Sequence, residues 1–355
     1  MADIYVNHTG SSTAPYDTEA KAATDIQVAL DAAGNGDTVW IKADQDYVMD
    51  GVDQQAAKFD VDVSSGIKIK GYYSSTGDQD YGGAYYKDAT NGWGVIDAND
   101  GSYPVFDAGD FENISIANIK TINVNTGQYA FDISPTGLAR GWMFQNIWTT
   151  GGREAFDFSY ISGGIIRDGK FTGSYSADAR FGVIYFKNNC RGGLVEDCNI
   201  EIANAGRCIS NSADGVIVRN NIMVFTATVS VGIHSSYPIF VIGNVMYKKS
   251  GTTTDAILLT SSAFGSVVYN NIIANCTDSI DDSAGAAFGG WNCLYNNGSD
   301  WTLREGDIQS DPQFMDAANG DFRLKPTSPC LNAGKPTPGS GYTSIGAWQR
   351  KSFLR

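Results

Sequence analysis

Histidine is almost missing from this chain, which has only His8 and His234 among its 355 residues. Six cysteines are present, but they are scattered and no C-x-x-C pair occurs. Structural zinc sites are built from clustered cysteine and histidine ligands, so the sequence argues against a zinc site. Scattered cysteines predict small thiols that pack in the interior of the fold, which the repeats described below predict to be a solenoid.

Long apolar runs and an excess of positive charge are missing as well. No apolar run reaches the length of about 18 residues that a membrane span needs. Lysine and arginine number 25 against 39 aspartate and glutamate residues, which gives a net charge of −14. We therefore expect neither nucleic acid nor an anionic membrane as a partner. An anionic polysaccharide would need cations to mediate its binding to such a chain.

The dipeptide Phe-Asp occurs four times at matching places in a repeat. The pairs begin at Phe59, Phe106, Phe131 and Phe156, and the last three pairs are 25 residues apart. The first pair lies 47 residues before the second, which is one repeat plus an insertion. A period in the mid-twenties is typical of a solenoid, in which each coil stacks its side chains on those of the previous coil.

Two columns of equivalent positions continue the repeat beyond the last Phe-Asp pair. One column is predicted to face inward, at Phe59, Phe106, Phe131, Phe156, Val183, Cys208, Ile233, Ile257 and Ile280. The other is predicted at Gly71, Asn118, Asn146, Lys170, Asn199, Asn221, Asn244 and Asn271. Asparagine and glycine tolerate the left-handed backbone region, so the second column predicts a sharp turn in each coil.

Short strand-like runs that all turn the same way, with no helix between them, predict an all-β fold. We expect a single-stranded, right-handed parallel β-helix of about ten coils, because parallel crossovers are nearly always right-handed. The whole chain, 1–355, is predicted to form one domain. Its predicted parts are an N-terminal strand and helix in 1–37, coils in 38–300 with an insertion loop at 72–103, and an irregular C-terminal cap in 301–355.

The N-terminal part is predicted to cover the open end of the solenoid. Thr24-Asp25-Ile26-Gln27 has the pattern of a capping box that begins a short helix, and Gly34 ends it. The apolar face of that helix is predicted to comprise Ala23, Ile26, Ala29, Leu30 and Ala33. The strand Thr38–Lys42 then leads into the first coil.

Both ends of the chain resemble a known superfamily. The opening IYVNHTGSSTAPYDT…AATDIQVALDAAGNGDTVWI resembles the start of pectate-lyase-like right-handed β-helix proteins. The closing SDPQFMDAANGDFRLKPTSPCLNAG…SIGAW resembles the end of a mostly uncharacterised branch of that superfamily. The resemblance implies the fold but not the activity, because members include polysaccharide lyases, polygalacturonase-like hydrolases, and tail-spike or decoration proteins of bacterial viruses. The WIDH-like and R-x-P-x-x-R motifs of pectate lyases are absent, as are the N-T-D and G-H-G motifs of polygalacturonases.

The aspartates of the Phe-Asp pairs are predicted to form an outward-facing column with a spacing of about 5 Å. One interpretation is structural, with each aspartate capping a turn. A second is calcium bound by Asp132 and Asp157, because a column of oxygen ligands suits that ion; no other cofactor is expected. A third is a catalytic group of Asp107, Asp132 and Asp157 with Arg153 as a cation, because carboxyls about 5–5.5 Å apart suit retaining glycosidases.

Two further groups of residues are candidates for contacts. The outward column is predicted to continue as Ile184, Ile209 and His234, and apolar residues there indicate either a covering segment or a subunit interface. The insertion loop is rich in aromatic residues that can stack on sugars or contact a protein partner, namely Tyr72, Tyr73, Tyr81, Tyr85, Tyr86 and Trp93.

Two functions from different classes follow from these patterns. The first choice is a virion surface protein of a bacteriophage, a capsid decoration or spike-like β-helix. It is predicted to form a homotrimer, as viral members commonly do, and to contact other virion subunits or host glycans. The alternative is a carbohydrate-active enzyme, a polysaccharide lyase or glycoside hydrolase that acts beside the aspartate column. Met1-Ala-Asp-Ile-Tyr-Val is not a signal peptide, which favours a virion surface location, or an extracellular one if a leader has been removed.

Overall fold

The computed structural model of the chain describes residues 1–43, 46–49, 59–60, 66–72, 94–99, 101–175, 182–251, 253–283, 285–336 and 343–347. The chain divides into two compact units, Met1–Thr172 and Gly173–Arg355. About 4% of the residues are helical, and the rest of the regular structure is β-strand. The helical segments of the described ranges are α1 (Ile26–Ala32) and two 3-10 turns, Glu19–Lys21 and Ala317–Asn319.

The first unit is a stack of parallel strands. Its strands are β1 (Asp3–Val6), β2 (Thr38–Lys42), β3 (Tyr47–Val48), β4 (Phe59–Asp60), β5 (Lys68–Tyr72), β6 (Gly94–Asp97), β7 (Phe106–Ala108), β8 (Ser115–Ile122), β9 (Tyr129–Ile133), β10 (Ala139–Arg140), β11 (Met143–Gly152), β12 (Glu154–Phe158), β13 (Ile161–Arg167) and β14 (Lys170–Tyr175), which begins in this unit. One parallel series runs β1–β2–β5–β8–β11, and another runs β4–β7–β9–β12.

The second unit repeats this parallel arrangement. Its strands are β15 (Gly182–Phe186), β16 (Arg191–Glu196), β17 (Asn199–Asn211), β18 (Asp214–Arg219), β19 (Ile222–Phe225), β20 (Val229–Ser235), β21 (Ile239–Ile242), β22 (Val245–Lys248), β23 (Thr253–Leu259), β24 (Val267–Tyr269), β25 (Ile272–Ala274), β26 (Asp278–Asp282), β27 (Phe288–Gly290), β28 (Cys293–Tyr295), β29 (Phe314–Asp316) and β30 (Asp321–Leu324). Three parallel series result: β16–β18–β21–β24–β27, β17–β19–β22–β25–β28, and β15–β17–β20–β23–β26.

The Phe-Asp repeats lie in register, as the sequence predicts. Phe59 pairs with Phe106, Phe106 with Phe131, and Phe131 with Phe156. The rings of Phe106 and Phe131 stack with centroids 5.1 Å apart, and those of Phe131 and Phe156 with centroids 4.7 Å apart. All four side chains are fully buried, so this column forms the core of the first unit.

The predicted inward column is wrong by one residue at two positions of the second unit. The structure pairs Ile184 with Ile209 and Ile209 with Ile233, so the buried column contains these isoleucines rather than Val183 and Cys208. Adjacent residues are apolar at both places, and hydrophobic alternation therefore cannot fix the register there. A slip of one residue assigns every side chain to the wrong column.

The predicted turn column is an asparagine ladder in the second unit. The backbone N–H of Asn221 donates to Asn244 Oδ1 at 3.0 Å, and that of Asn244 donates to Asn271 Oδ1 at 3.0 Å. The Asn244 side-chain amide also donates to the Val218 carbonyl at 3.0 Å. In the first unit Asn118 adopts a φ of 57°, whereas in the second unit the left-handed residue comes just before the ladder, as at Asn270 with a φ of 59°.

The N-terminal helix docks on the first unit as expected, with a different cap. The N-cap residue is Asp25, one residue later than predicted, and its side chain accepts hydrogen bonds from the backbone N–H groups of Gln27 and Val28. The side chain of Gln27 pairs with the edge strand instead, because its Oε1 accepts from Asp60 N at 2.8 Å and its Nε2 donates to Asp60 O at 3.2 Å. This amide satisfies backbone groups that an open sheet edge would expose.

The C-terminal segment leaves the coil path and lines the flank of a sheet. Strands β29 and β30 form an antiparallel pair. One buried cluster joins this segment to the outer face of β19, β22, β25 and β28, and comprises Ile222, Val224, Val245, Ile272, Cys293, Phe314, Phe322, Cys330 and Ile345. The solenoid has about 8 turns, fewer than the ten predicted from the sequence.

Two sequence-based expectations concern the interior and membranes. All six cysteine side chains are buried, although those of Cys293 and Cys330 lie in the cluster between the C-terminal segment and the sheet rather than inside the coils. In the part of the chain that the structure describes, no helix is long and apolar enough to cross a membrane.

The asparagine ladder predicts a large cost for one small substitution. Asn244→Ala leaves Val218 O, Asn221 N and Asn221 Nδ2 without their buried partner, so we expect it to lower the free energy of unfolding by about 2–4 kcal/mol. Asn204 is exposed in the same unit, and Asn204→Ala serves as the control, with an effect within about 0.5 kcal/mol. Urea unfolding followed by circular dichroism measures both, and equal effects would contradict the ladder's role.

Candidate functional site

A column of carboxylates runs across four rungs of the first unit. Asp60 pairs with Asp107, Asp107 with Asp132, and Asp132 with Asp157. Adjacent rungs of a parallel sheet lie about 4.8 Å apart, so neighbouring carboxylates are close enough to act on the same group. Asp60, Asp107 and Asp132 are partly exposed, whereas Asp157 is buried, with 2% of its surface exposed. The predicted aspartate column is therefore present, and it becomes more enclosed toward Asp157.

A second column beside the carboxylates adds a phenol, an acid and a cation. Tyr129 pairs with Glu154 in the register, three residues before Asp132 and Asp157 respectively. The guanidinium carbon of Arg153 lies 5.3 Å from the centre of the Tyr129 ring. Arg153 Nε also lies 3.8 Å from Glu154 Oε1, and Glu154 is fully buried. These five side chains form what we call the acidic site: Tyr129, Asp132, Arg153, Glu154 and Asp157.

The electrostatics of the acidic site keep its phenol protonated. Burial first, and then the carboxylates of Asp157 and Glu154, raise the pKa of Tyr129 well above its usual range, against the opposing effect of Arg153. The Ser134 hydroxyl donates a hydrogen bond to Asp132 Oδ1 at 2.5 Å, which holds that carboxylate in place. The site thus offers a carboxylate as a base, a neutral phenol as an acid and a guanidinium as a cation.

The sequence predicted part of this site and missed the rest. Asp132 pairs with Asp157, and both of them and Arg153 lie near enough to Tyr129 to affect its pKa. Asp107 lies one rung away from Asp132, and the catalytic role of these residues stays a prediction. Tyr129 and Glu154 were not predicted, although the segments Tyr129-Ala-Phe-Asp and Glu154-Ala-Phe-Asp align them at the same repeat position. Alignment of the repeats by their Phe-Asp pairs would have found both residues.

The predicted aromatic contact surface is only partly within the described residues. Tyr72 is fully buried at the end of β5, where its ring packs edge-on against Tyr5 and Trp40 with centroids 6.3 Å away in each case. It cannot contact a glycan or partner at the surface, because the strand continues one residue further than expected. Tyr73, Tyr81, Tyr85, Tyr86 and Trp93 lie outside the described residues.

The predicted interface of the second unit is not an outward apolar column. Ile184 and Ile209 are fully buried and belong to the same column as Ile233, so they are not available to another subunit. His234 instead pairs with Ser210 and is 6% exposed. The correction has the same cause as the register slip described above.

The acidic site was also a candidate for calcium, at Asp132 and Asp157. Among the residues that the structure describes, no group of three or more acidic, histidine or cysteine side chains lies close enough to hold a metal ion. Calcium usually takes six to eight oxygen ligands, and two carboxylates supply at most four. We therefore assign no chemical step to calcium, and its binding stays a prediction.

A second pair of carboxylates, not predicted from the sequence, lies in the second unit. Asp255 pairs with Asp278 in the register, and Asp255 is 6% exposed. Burial first, and then the charges of Asp278 and Asp281, raise the pKa of Asp255 to about 6. The residues around the two aspartates share no obvious motif, so the sequence did not predict that they lie side by side.

No known protein family matches the sequence, and no curated protein matches it either. Among solved structures, the chain is similar to pectate lyase Pel9A, with 14% sequence identity and a TM-score of 0.61. That match covers 99% of this chain and 96% of the other. The chain also matches the PL6 family alginate lyase AlyGC, with 12% identity and a TM-score of 0.32, over 92% of this chain and 56% of the other.

The likeness to Pel9A extends over 99% of the chain, and it confirms the predicted parallel β-helix fold. An identity this low establishes the fold and leaves activity to be argued from the site. The match to AlyGC is too weak in its geometry to carry an argument.

The raised pKa of Tyr129 predicts a specific effect of pH on stability. Above about pH 10 the unfolded chain ionises this phenol while the folded protein holds it neutral, so the folded state loses stability as the pH rises further. We expect Tyr129→Phe to reduce the loss of stability between pH 8 and pH 11, measured by urea unfolding. Tyr103 is 54% exposed, and Tyr103→Phe is the control. Identical pH dependence in both variants would contradict the described surroundings of Tyr129.

The raised pKa of Asp255 predicts an effect on stability at acidic to neutral pH. The pKa of Asp255 in the folded protein, about 6, lies above its ordinary value of 3.8, so the contribution of Asp255 to stability is complete below about pH 4 and is lost as the pH rises through 6. Asp255→Asn removes this loss, and we expect it to gain about 1–3 kcal/mol relative to the original chain between pH 4.5 and pH 8. The exposed substitution Asp214→Asn should show no such gain in thermal or urea unfolding.

Proposed function

We propose that this chain is a carbohydrate-active enzyme, a polysaccharide lyase that cleaves a uronate-containing polymer at the acidic site. The observation that carries the proposal is the grouping of Asp132, Asp157, Arg153 and Tyr129 on adjacent rungs of the first unit. The fold supports it, because a protein of the same fold over nearly the whole chain is a pectate lyase. We therefore favour the carbohydrate-active enzyme over the virion surface protein that was the first choice from the sequence.

The residues of the acidic site match the three tasks of β-elimination. Arg153 would pair with the uronate carboxylate, which makes the proton on the adjacent carbon easier to remove. The partly exposed carboxylate of Asp132 would accept that proton. The bond from the neighbouring carbon to the glycosidic oxygen breaks, and a carbon–carbon double bond forms in the sugar. Tyr129 would donate its proton to the leaving oxygen, which is a stronger base than a phenolate.

The two buried acids would position the reacting groups rather than touch the sugar. Glu154 lies beside Arg153 and orients its guanidinium, while Asp157 shares its rung with Glu154. Burial first, and then the charges of these two acids, raise the pKa of Tyr129 and keep it protonated before the reaction. Hydrolysis would require only two carboxylates and would leave the arginine and the phenol without a role, which is why elimination is preferred.

An activity panel tests the reaction and its residues together. The full chain is incubated with polygalacturonate, alginate and a neutral xylan, each with and without calcium. Elimination produces the ultraviolet absorbance of the new double bond together with reducing ends, whereas hydrolysis produces reducing ends alone. We expect ultraviolet absorbance from a uronate polymer and none from the neutral one. Absence of cleavage across acidic polymers would contradict the proposal, and reducing ends without absorbance would replace elimination by hydrolysis.

Variants of the acidic site make the assignment specific. Asp132→Asn removes the base, and we expect kcat to fall by about 100-fold to 10,000-fold. Tyr129→Phe should also lower kcat, with a smaller change in KM. Asp60 follows phenylalanine in the same column but lies two rungs from Asp132, so Asp60→Asn is the matched control and should retain most activity. Equal activity of the Asp132 and Asp60 variants would remove Asp132 from the reaction.

The first choice from the sequence, a virion surface protein that forms a homotrimer, receives no support from the comparisons and stays a prediction. The predicted virion or extracellular location and the predicted partners have the same standing. Light scattering on the purified chain measures the oligomeric state, and a stable trimer without cleavage of any polysaccharide would favour the virion role again.

A further inference from the structure

His234 is a buried histidine, and one of its ring nitrogens lacks a hydrogen-bond partner in the described part of the chain. Its side chain is 6% exposed, and in the part of the chain that the structure describes its Nδ1 has no hydrogen-bond partner. A buried polar atom without a partner costs stability, so such an atom usually marks a bound water or a ligand. His234 lies outside the acidic site, in the second unit, and the proposed reaction does not use it.

The neighbours of His234 are hydrogen-bond donors. His234 pairs with Ser210 on the adjacent rung, and Ser210 is fully buried. Arg207 Nη1 donates to Ser210 Oγ at 3.1 Å, which leaves the serine O–H able to donate in turn. A guanidinium, a hydroxyl and an imidazole N–H can thus converge on one small group. This combination suits the oxygens of an anion, because hydrogen bonds between charged groups are stronger than those between neutral groups.

The charges around this group favour an anion over a cation. Burial, together with the positive charge of Arg207, lowers the pKa of His234 to about 4. Asp255 and Asp278 belong to the same column as Arg207, but Val231 lies between Arg207 and Asp255 in the register. Asp281 belongs to the column of His234, with Leu258 between them. Arg207 is partly exposed, as is Tyr185 on the rung before Ser210, so a small group can enter from the surface.

We propose that Arg207, Ser210 and His234 form a binding site for an oxyanion, either a free anion such as sulfate or the carboxylate of an acidic sugar. The site does not depend on the proposed function of the first unit. An anion bound there stabilises the protonated imidazole, so anion binding and protonation of His234 strengthen each other. Binding is therefore expected to become tighter as the pH falls toward 5.

The near absence of histidine makes the test direct. The chain labelled with ¹⁵N only at histidine gives signals from two imidazoles, and His8→Gln identifies the signals of His234. Sodium sulfate, sodium glucuronate and neutral glucose are titrated at pH 6 and at constant ionic strength with sodium chloride. We expect the His234 signals to shift and saturate with sulfate or glucuronate, and the His8 signals and the glucose titration to show no saturable change.

The two anions distinguish the source of the ligand. Saturation with both at similar concentrations supports a general oxyanion site, and saturation only with glucuronate supports an acidic sugar. In either case the apparent pKa of His234 should rise by at least about one unit on binding, a tenfold change in proton affinity. Failure of both anions to shift the His234 signals overturns the proposal and leaves water as the partner of Nδ1.

Variants separate binding from folding. Arg207→Gln should weaken anion binding at least about tenfold, whereas Arg207→Lys keeps the charge and should weaken it less. Asp214→Asn is the control, since Asp214 is exposed in the same unit. Each variant is checked by circular dichroism and thermal melting. If Arg207→Gln does not fold, the titration of the original chain still decides the question, and unchanged binding in a folded Arg207→Gln variant would contradict the site.

Discussion

Parallel pairing in strict register is the constraint from which the rest of the structure follows. Each rung donates and accepts backbone hydrogen bonds with the next, at a spacing of about 4.8 Å. Residues 25 positions apart, such as Phe131 and Phe156, therefore become direct neighbours, and their rings stack with centroids 4.7 Å apart. Any side chain that recurs once per coil becomes a column. Apolar columns build the core, amide columns satisfy the turns, and acidic columns concentrate charge.

The clustering of charged side chains is the feature of the first unit that could support a chemical reaction. Four carboxylates lie on successive rungs of the same column, which brings several acidic groups together in one place. Arg153 offsets part of that charge beside Glu154. Burial first, and then the charges of Asp157 and Glu154, raise the pKa of Tyr129 and keep it a neutral phenol. The second unit uses the same geometry with other residues. There the column contains a cation at Arg207 and a carboxyl at Asp255 with a raised pKa.

The sequence predicts a column only where its members are recognisable at each repeat. Phe-Asp and the asparagine turns have that property, so the fold, the aspartate column and the strand Thr38–Lys42 were found from the sequence. Where two adjacent residues are both apolar, as at Val183 and Ile184, alternation carries no information about register. Tyr129 and Glu154 escaped notice because the residue type changes from rung to rung, even though the position is the same. Tyr72 was assigned to the insertion loop because it begins a segment rich in tyrosine and glycine, and the sequence does not show that strand β5 extends to it.

The central claim is that stacked rungs of the first unit bring Asp132, Arg153 and Tyr129 together to act on a polysaccharide, with the buried Asp157 beside them. The most direct measurement is a crystal structure of the Asp132→Asn variant with a uronate oligosaccharide. The account predicts a sugar across the rungs from Asp107 to Asp157, with its carboxylate on Arg153 and a glycosidic oxygen within hydrogen-bond distance of Tyr129. An oligosaccharide bound elsewhere on the molecule, or aspartates that do not stack in register, would contradict it.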